Sequence, residues 1–418
     1  MKIIYLHQYF NTPGMSGGTR SYEVAKRMVN AGHEVHMITS HRDIKSDKQE
    51  WFTSNEDGIS VHWFPVAYSN HMTFFERVKA FFLFAWSARK KAISLGGDVI
   101  FATSTPLTIA LPAVPAARIN KIPMVFEVRD LWPEMPIAMG ALKNPLLRYF
   151  AKKLELWAYQ HSASIVALSP GMKCGIVSTG FSGTNVAVIP NSSDNQEFQY
   201  SHELELEFRC ARAWLGNKPL LVYAGTFGRV NGVDYLVDLA VELSDINSDI
   251  RILLVGDGQE RDFIRNKAEK LKVLNKNLFI EDAVPKNQIP SLLSAADMSA
   301  ALFIDLPEMR PNSANKFFDS LASGTPVLLN YGGWMHDLVN THGCGLAMWQ
   351  KSISEVAKDV DVCMHNKQWL EESSNAARLL AEQSFDRDIL AKQLIDVLEA
   401  TVNGSPHIAE SIAPGIYN

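Results

Sequence analysis

Two doubly wound α/β domains, each a Rossmann-like parallel sheet, are predicted for this chain by three observations: its length, a β-loop-α-β grammar at the N-terminus, and a restart of that grammar near Pro219. The chain has 418 residues, about three times a typical single-domain length, so two domains of comparable size are expected. KIIYLHQYF reads as a strand and NTPGMSGGT as a glycine-rich loop. RSYEVAKRMVNAG follows as a helix, with Tyr22, Val24, Ala25, Met28 and Val29 on one apolar stripe that ends at Gly32. HEVHMITS is the next strand, and GDVIFATS, KIPMVFEVRD, ASIVALSP and NVAVIPN continue the series.

The second half repeats the alternation. PLLVYAGTF, DIRILLVGDG and KNLFIEDAV read as strands, and GVDYLVDLAVELS, QERDFIRNKAEKL and QIPSLLSAADM as helices. The expected division is 1–192 and 193–385. A helix at about 386–402, RDILAKQLIDVLEATV, belongs to either half and can pack back on the first; residues 403–418 are expected to be a flexible tail.

Composition narrows the class. Apolar residues make up 47% and charged residues 20%, which suits a globular protein with a sizeable core and excludes wholesale disorder. The first apolar run is short and broken by His7 and Gln8, so it reads as a strand and not a signal peptide. No apolar run approaches the roughly 18 residues that span a bilayer. Cys174, Cys210, Cys344 and Cys363 are scattered, giving neither a disulfide framework nor a metal site, so a reducing cytoplasm is expected. Residues 1–192 hold 20 Lys/Arg against 13 Asp/Glu, and residues 193–418 hold 20 against 32. The basic half suggests an anionic partner, a membrane surface or a phosphorylated acceptor; no basic-aromatic module points to nucleic acid.

The stretch RPNSANKFFDSLASGTPVLLN carries the most chemistry. Asn312, Ser313 and Asn315 offer capping side chains, Phe317, Phe318, Leu321 and Ala322 supply an apolar face, and Gly324 with Pro326 ends the helix. Such a helix start presents free N–H groups and a positive dipole, a site for a diphosphate. Lys316 in its first turn can neutralise a departing nucleotide. Asp319, three residues on, can accept both ribose hydroxyls; a plain intrahelical pair with Lys316 is the alternative.

Other loops point to the same ligand. YAGTFGRVNG sets Gly225, Gly228 and Gly232 after a strand with Arg229 among them, so backbone and guanidinium can both reach phosphate, although a tight turn alone would also need glycine. LLVGDGQER gives Gly256 and Gly258, which would let a nucleotide approach, but lacks the third glycine of a dinucleotide fingerprint. In the first half, Gly17 and Gly18 form a phosphate or acceptor loop without the Gly-Lys-Ser/Thr end of a P-loop. VFEVRDLWPEMP puts Glu127, Arg129, Asp130, Trp132 and Glu134 at the carboxyl end of a strand, where α/β ligand crevices open. In MTFFERVKAFFLFAWSARKKA, Phe74, Phe75, Val78, Phe81, Phe82, Ala85 and Trp86 recur at helical spacing beside Arg77, Lys79, Arg89, Lys90 and Lys91. That pattern fits a packed helix or an interfacial one on anionic lipid. Asp359/Asp361 and Asp386/Asp388 diverge on helix-like segments, and no His-x-x-x-His pair occurs, so no metal is expected.

Taken together, SGGTRSYEVAKRMVNAGHEVHMIT, YAGTFGRVNGVDYLVDLA, LLVGDGQER and NSANKFFDSLASGTPVLL resemble the family-4 retaining glycosyltransferases over nearly the whole chain. The likeness is greatest to bacterial O-antigen and capsule enzymes, specifically N-acetyl-L-fucosamine transferases. It implies a GT-B fold of two facing Rossmann-like domains. It also implies metal-independent, retaining transfer from a UDP-sugar to a lipid-diphosphate-linked saccharide, with no cofactor, at the inner face of the cytoplasmic membrane. Of the family's two glutamates, which have seven residues between them, the second falls at Asp319 and the first at Pro311, which has no carboxylate. The usual Arg and Lys fall at Thr226 and Asn231, so Arg229 and Lys316 are the expected replacements; Arg129 or Asp130 stands where relatives carry a histidine. The implied roles are electrostatic catalysis for Lys316 and Arg229, ribose binding for Asp319, and sugar or acceptor orientation for Glu127 or Asp130. A UDP-sugar 2-epimerase is the nearest alternative, followed by a nicotinamide-dependent dehydrogenase and a non-catalytic sugar-nucleotide sensor.

Overall fold

The computed structural model describes residues 1–15, 17–42, 50–66, 72–104 and 106–415. The chain forms two compact units, one of Met1–Pro190 with Asp388–Asn418 and one of Asn191–Arg387.

The first unit is built on an eight-stranded sheet of β1 (Lys2–Leu6), β2 (Glu34–His41), β3 (Phe52–Glu56), β4 (Ile59–Pro65), β5 (Val99–Thr103), β6 (Met124–Val128), β7 (Ser164–Ala167) and β8 (Val186–Val188), in the order β3-β4-β2-β1-β5-β6-β7-β8. All neighbours are parallel except β3 and β4, an antiparallel hairpin. The hairpin turns at Asp57 and Gly58, both at positive φ, the Asp-Gly turn whose twist matches paired strands. The edge strand β3 is only five residues long and polar after Phe52, which protects a sheet edge. Helices α1 (Arg20–Asn30), α2 (Phe74–Leu95), α3 (Ala110–Asn120), α4 (Glu134–Ala138), α5 (Pro145–Gln160) and α6 (Pro170–Ser178) connect the strands. The central strands are buried on both faces, as a covered parallel sheet requires. Thr73 and Glu76 close a capping box that fixes the start of α2, and Ala80, Phe84, Ala88 and Ala92 bury its inner side.

The second unit has a six-stranded, all-parallel sheet of β9 (Leu220–Ala224), β10 (Arg251–Val255), β11 (Leu278–Glu281), β12 (Met298–Ala301), β13 (Val327–Leu329) and β14 (Gly345–Ala347), in the order β11-β10-β9-β12-β13-β14. Order reverses at β9, so a crevice opens outside the carboxyl ends of β9 and β12. Around the sheet lie α7 (His202–Cys210), α8 (Tyr235–Asp245), α9 (Arg261–Lys270), α10 (Ile289–Ala295), α11 (Asn315–Ala322), α12 (Trp334–His342), α13 (Ile353–His365) and α14 (Lys367–Ser384). Leu221, Tyr223, Leu236, Ile252, Leu254 and Leu328 centre its core.

The chain then returns to the first unit through α15 (Arg387–Val402) and α16 (Ala409–Ile412). Ala391, Leu394, Val397 and Leu398 of α15 are buried, and Thr401 hydrogen-bonds Ser164 of β7 at 2.7 Å. The segment expected as a flexible tail is ordered in its described part. The Val188 N–H donates to the Ala413 carbonyl at 2.8 Å, Lys173 pairs with Glu410 at 2.7 Å, and Ala409 and Ala413 are buried. Polar, loop-like composition concealed an edge partner for β8.

Candidate active site

In the second unit, α11 begins where the sequence places it, but its cap differs from the expected one. The N-cap is Ala314, and no side chain caps the helix. Ser313 is instead buried and engaged from a distance: its hydroxyl accepts the Asn191 N–H at 3.2 Å, and its carbonyl accepts the Asn191 side-chain amide. The Asn312 carbonyl accepts the Trp334 indole N–H at 2.7 Å. These two residues therefore tie the chain entering α11 to its surroundings, while Asn315 lies half-buried in the first turn. With no side chain over its first amides, the N-terminus keeps the character that suits an anion.

Lys316 leaves this first turn toward β9. Its ammonium donates to the Tyr223 hydroxyl at 2.9 Å and lies 4.3 Å from the centre of the Tyr223 ring. Tyr223 in turn donates to the Thr226 carbonyl at 2.9 Å, and its burial pushes the phenol pKa up, so it stays protonated. A Cβ placed on Gly225, at φ +155, would come within 3.1 Å of Lys316 Cε and Nζ. Gly225 thus leaves room for the lysine, and two predicted site residues are brought together. Burial lowers the Lys316 pKa from 10.5 to about 8, because no carboxylate neutralises the ammonium. Gly228 opens the next turn, a single 3-10 turn over Arg229–Asn231 that ends in left-handed Gly232. Arg229 is exposed there, and its side chain makes no hydrogen bond or ion pair among the described residues.

Two expected roles are corrected in this unit. Asp319 does not keep both oxygens open for ribose hydroxyls: Lys286 donates to Oδ1 at 2.9 Å and Oδ2 at 2.8 Å, and Ser193 donates to Oδ1 at 2.7 Å. The carboxylate is buried and fixes α11 to its neighbours; nor is it paired with Lys316, since the two side chains leave the helix toward different partners. Gly256 and Gly258 do not make room for a nucleotide. A Cβ on Gly256 would stand 1.9 Å from the Gly225 carbonyl, and one on Gly258 2.5 Å from the Phe227 carbonyl. Their absence of side chains lets the loops after β9 and β10 touch, through Gly225 N–H to Val255 and Phe227 N–H to Asp257. The glycines support the Gly225 loop from below.

In the first unit, Glu127 is also reassigned. It is fully buried, with Oε1 accepting Arg20 Nε at 3.1 Å and Nη2 at 2.9 Å, and Oε2 accepting the Thr103 hydroxyl. Arg20 spends its remaining donors on the carbonyls of Pro190, at 2.6 Å, and Ile189, at 3.1 Å. Burial opposes the charge, but Arg20 and Arg129, with the Thr103 hydrogen bond, outweigh it and hold the Glu127 pKa below the usual carboxylate range. A carboxylate so enclosed positions β6 and α1 and cannot meet a substrate. Arg129 and Asp130 follow it at the strand end and are half-buried, with the Arg129 N–H donating to Ser104 at 2.9 Å. Gly17 and Gly18 are exposed in the first loop, which Asn11 shapes: its amide donates to the Gly18 carbonyl at 3.3 Å, and a Cβ on Gly17 would meet it at 2.6 Å.

Sequence reasoning passed over His7, Gln8 and Arg42 in this unit. His7 and Gln8 follow β1 and are buried, with His7 Nδ1 and Gln8 Nε2 lacking partners among the described residues. Burial, with the charges of Arg129 and Arg42, pushes the His7 pKa far down. The signal was the polar pair that breaks an apolar first strand. Among the described residues, no group of three or more His, Cys, Asp or Glu is arranged to hold a metal ion, and no helix is long and apolar enough to cross a membrane.

A mainly parallel sheet in each unit, with a lysine and a helix start at the second unit's crevice, defines a two-domain α/β architecture with a candidate anion site in its second unit. Residues 17–192 match the glycosyl transferase 4-like domain family and residues 207–380 match glycosyl transferases group 1. The chain is a glycosyltransferase composed of these two domains on the GT-B fold. It is 22% identical over 382 residues to an uncharacterised glycosyltransferase of Methanocaldococcus jannaschii, covering 90% of this chain and 91% of that one. Similar solved structures include HepE of Anabaena in complex with UDP-glucose (TM-score 0.71, 18% identity, 96% and 100% covered). Another is WaaG, a glycosyltransferase involved in lipopolysaccharide biosynthesis (TM-score 0.67, 16% identity, 95% and 99% covered).

Proposed function

We propose that the protein transfers a sugar, N-acetyl-L-fucosamine being the first candidate, from a UDP-sugar to a lipid-diphosphate-linked saccharide in O-antigen or capsule biosynthesis, with retention of configuration. The observation that carries this reading is the Lys316 ammonium packed on Gly225 at an uncapped helix start. As the anomeric C–O bond breaks with oxocarbenium character, negative charge grows on the β-phosphate; a preorganised ammonium and first-turn amides would lower that barrier. Arg229, exposed on the neighbouring turn, supplies a second charge. The UDP and UDP-glucose in complexes of HepE support the donor class. In the first unit, Arg129, His7 and the Gly17–Gly18 loop are assigned to the acceptor's anionic part, and Asp130 to orienting the sugar or acceptor. Glu127 and Asp319 act through the elements they hold. The UDP-sugar is a substrate, and no resident cofactor enters. The reaction is assigned to the cytoplasm at the membrane's inner face, with the basic N-terminal half toward the lipid.

The test is a donor screen with UDP-N-acetyl-L-fucosamine and other UDP-sugars against a lipid-diphosphate-sugar acceptor, reading product mass and anomeric configuration. An α- or β-linkage matching the donor's own configuration is expected. Epimerised UDP-sugar formed without acceptor would replace this reading with a 2-epimerase.

A further inference from the structure

α2 is apolar on two sides. Its inner side is core, yet Phe75 (82% exposed), Phe82, Leu83 and Trp86 (63% exposed) face solvent. Lys79 and Lys90 are exposed at the same helical spacing, and Lys90 lies 5.8 Å over the Trp86 ring. α5 repeats the arrangement. Glu155, Ala158 and Tyr159 are buried, whereas its first two turns expose Leu146, Leu147, Tyr149 and Phe150 (58%). Lys152 and Lys153 are exposed after them, Lys153 lying 5.6 Å over the Tyr149 ring. Both helices pack against α3, whose end exposes Arg118 and Ile119. Large apolar side chains gathered in this way are unusual on a surface that meets only water.

Charge identifies the occupant. The sequences of α2, α3 and α5 contain five, one and three Lys/Arg against only Glu76 and Glu155. Glu76 is engaged in the α2 capping box and Glu155 is buried. A second copy of the chain joined through this face would set basic helix against basic helix. A bilayer with anionic headgroups instead offers phosphate to the lysines and acyl chains to the rings, and a lysine over an exposed ring sets both at one depth. We propose that α2 and α5 together form a two-footed docking surface for anionic lipid, α5 being a foot that sequence periodicity did not mark. This deepens, and rests on, the reading of a lipid-linked acceptor.

The experiment is flotation of the full chain with vesicles of phosphatidylcholine alone and of phosphatidylcholine with phosphatidylglycerol, without donor or acceptor. Binding to the anionic vesicles is expected, weakening with salt. Substituting Phe82→Ser with Trp86→Ser, or Tyr149→Ser with Phe150→Ser, should each lower it about tenfold, with UDP affinity and melting temperature unchanged. No binding by the wild type, equal binding to neutral vesicles, or an α5 pair without effect would overturn the proposal. So would a wild-type dimer that these pairs convert to monomer. Vesicle binding that persists while no lipid-linked acceptor is glycosylated would count against the acceptor assignment alone.

Discussion

Lys316→Met separates a catalytic lysine from a structural one, because the two roles move stability in opposite directions. The displacement of the lysine from 10.5 to about 8 corresponds to about 3 kcal/mol that the folded state gives up to keep the ammonium charged at neutral pH. The hydrogen bond to Tyr223 returns about 1 kcal/mol and the ring contact about 1 kcal/mol. Methionine fills the same space without a charge, so the variant should be more stable by about 1 kcal/mol at pH 7. Between the folded pKa and 10.5 the unfolded chain holds a proton that the folded wild type has released, so wild-type stability rises with pH through that window and the variant's advantage disappears. Urea unfolding of both proteins at neutral and alkaline pH reads the difference, and turnover with the donor identified by the screen reads the function. A variant at least about 2 kcal/mol less stable than wild type at pH 7, with no pH dependence in the difference, would make Lys316 a strut; turnover within a few-fold of wild type would remove its electrostatic role.

Further expectations use other residues. UDP should bind more weakly as pH rises above about 8 and should take up a proton on binding there, measured by calorimetry in buffers of different ionisation enthalpy; affinity flat across that range would separate the diphosphate from Lys316. Gly256→Ala, which drives a methyl toward the Gly225 carbonyl, should cost at least about 2 kcal/mol in denaturant unfolding and lower UDP affinity with it. Glu127→Gln leaves the buried Arg20 guanidinium without its counter-charge and should cost about 3–5 kcal/mol. In the wild type the depressed Glu127 pKa contributes stability above the ordinary carboxylate range that is lost as pH falls through the folded value. Arg229→Ala should leave melting within about 0.5 kcal/mol of wild type while reducing turnover.

Periodicity made the alternation of strands and helices legible, and glycine with polar residues marked the loops at the strand ends. α11 was readable because Phe317, Phe318 and Leu321 share a stripe that Gly324 ends. Its cap was not, because the Ser313 hydroxyl is claimed by Asn191, 122 residues away. The same limit applies to Glu127, whose partner Arg20 is 107 residues distant: a charge at the end of an apolar strand looks alike in sequence whether it waits for a ligand or is already paired. Gly256 and Gly258 were misread for a related reason, since the atoms that exclude a side chain there belong to the loop after β9 and not to a ligand. The β3–β4 hairpin, by contrast, carried a local signal in Asp57-Gly58 that strand counting alone overlooked.

The return of α15 and α16 to the first unit gives that unit an unusual position in biosynthesis. Strand β8 ends near residue 190, yet the carbonyl that binds the Val188 N–H belongs to Ala413. Synthesis runs toward higher residue numbers, so all of Asn191–Arg387 is made before the Ala413 carbonyl exists. The half made first is therefore the half finished last, and it waits on the nascent chain with the edge of β8 unpaired. Truncation just after Arg387 would leave Asn191–Arg387 whole, Lys316 included, and take from the other unit the partner of its strand β8.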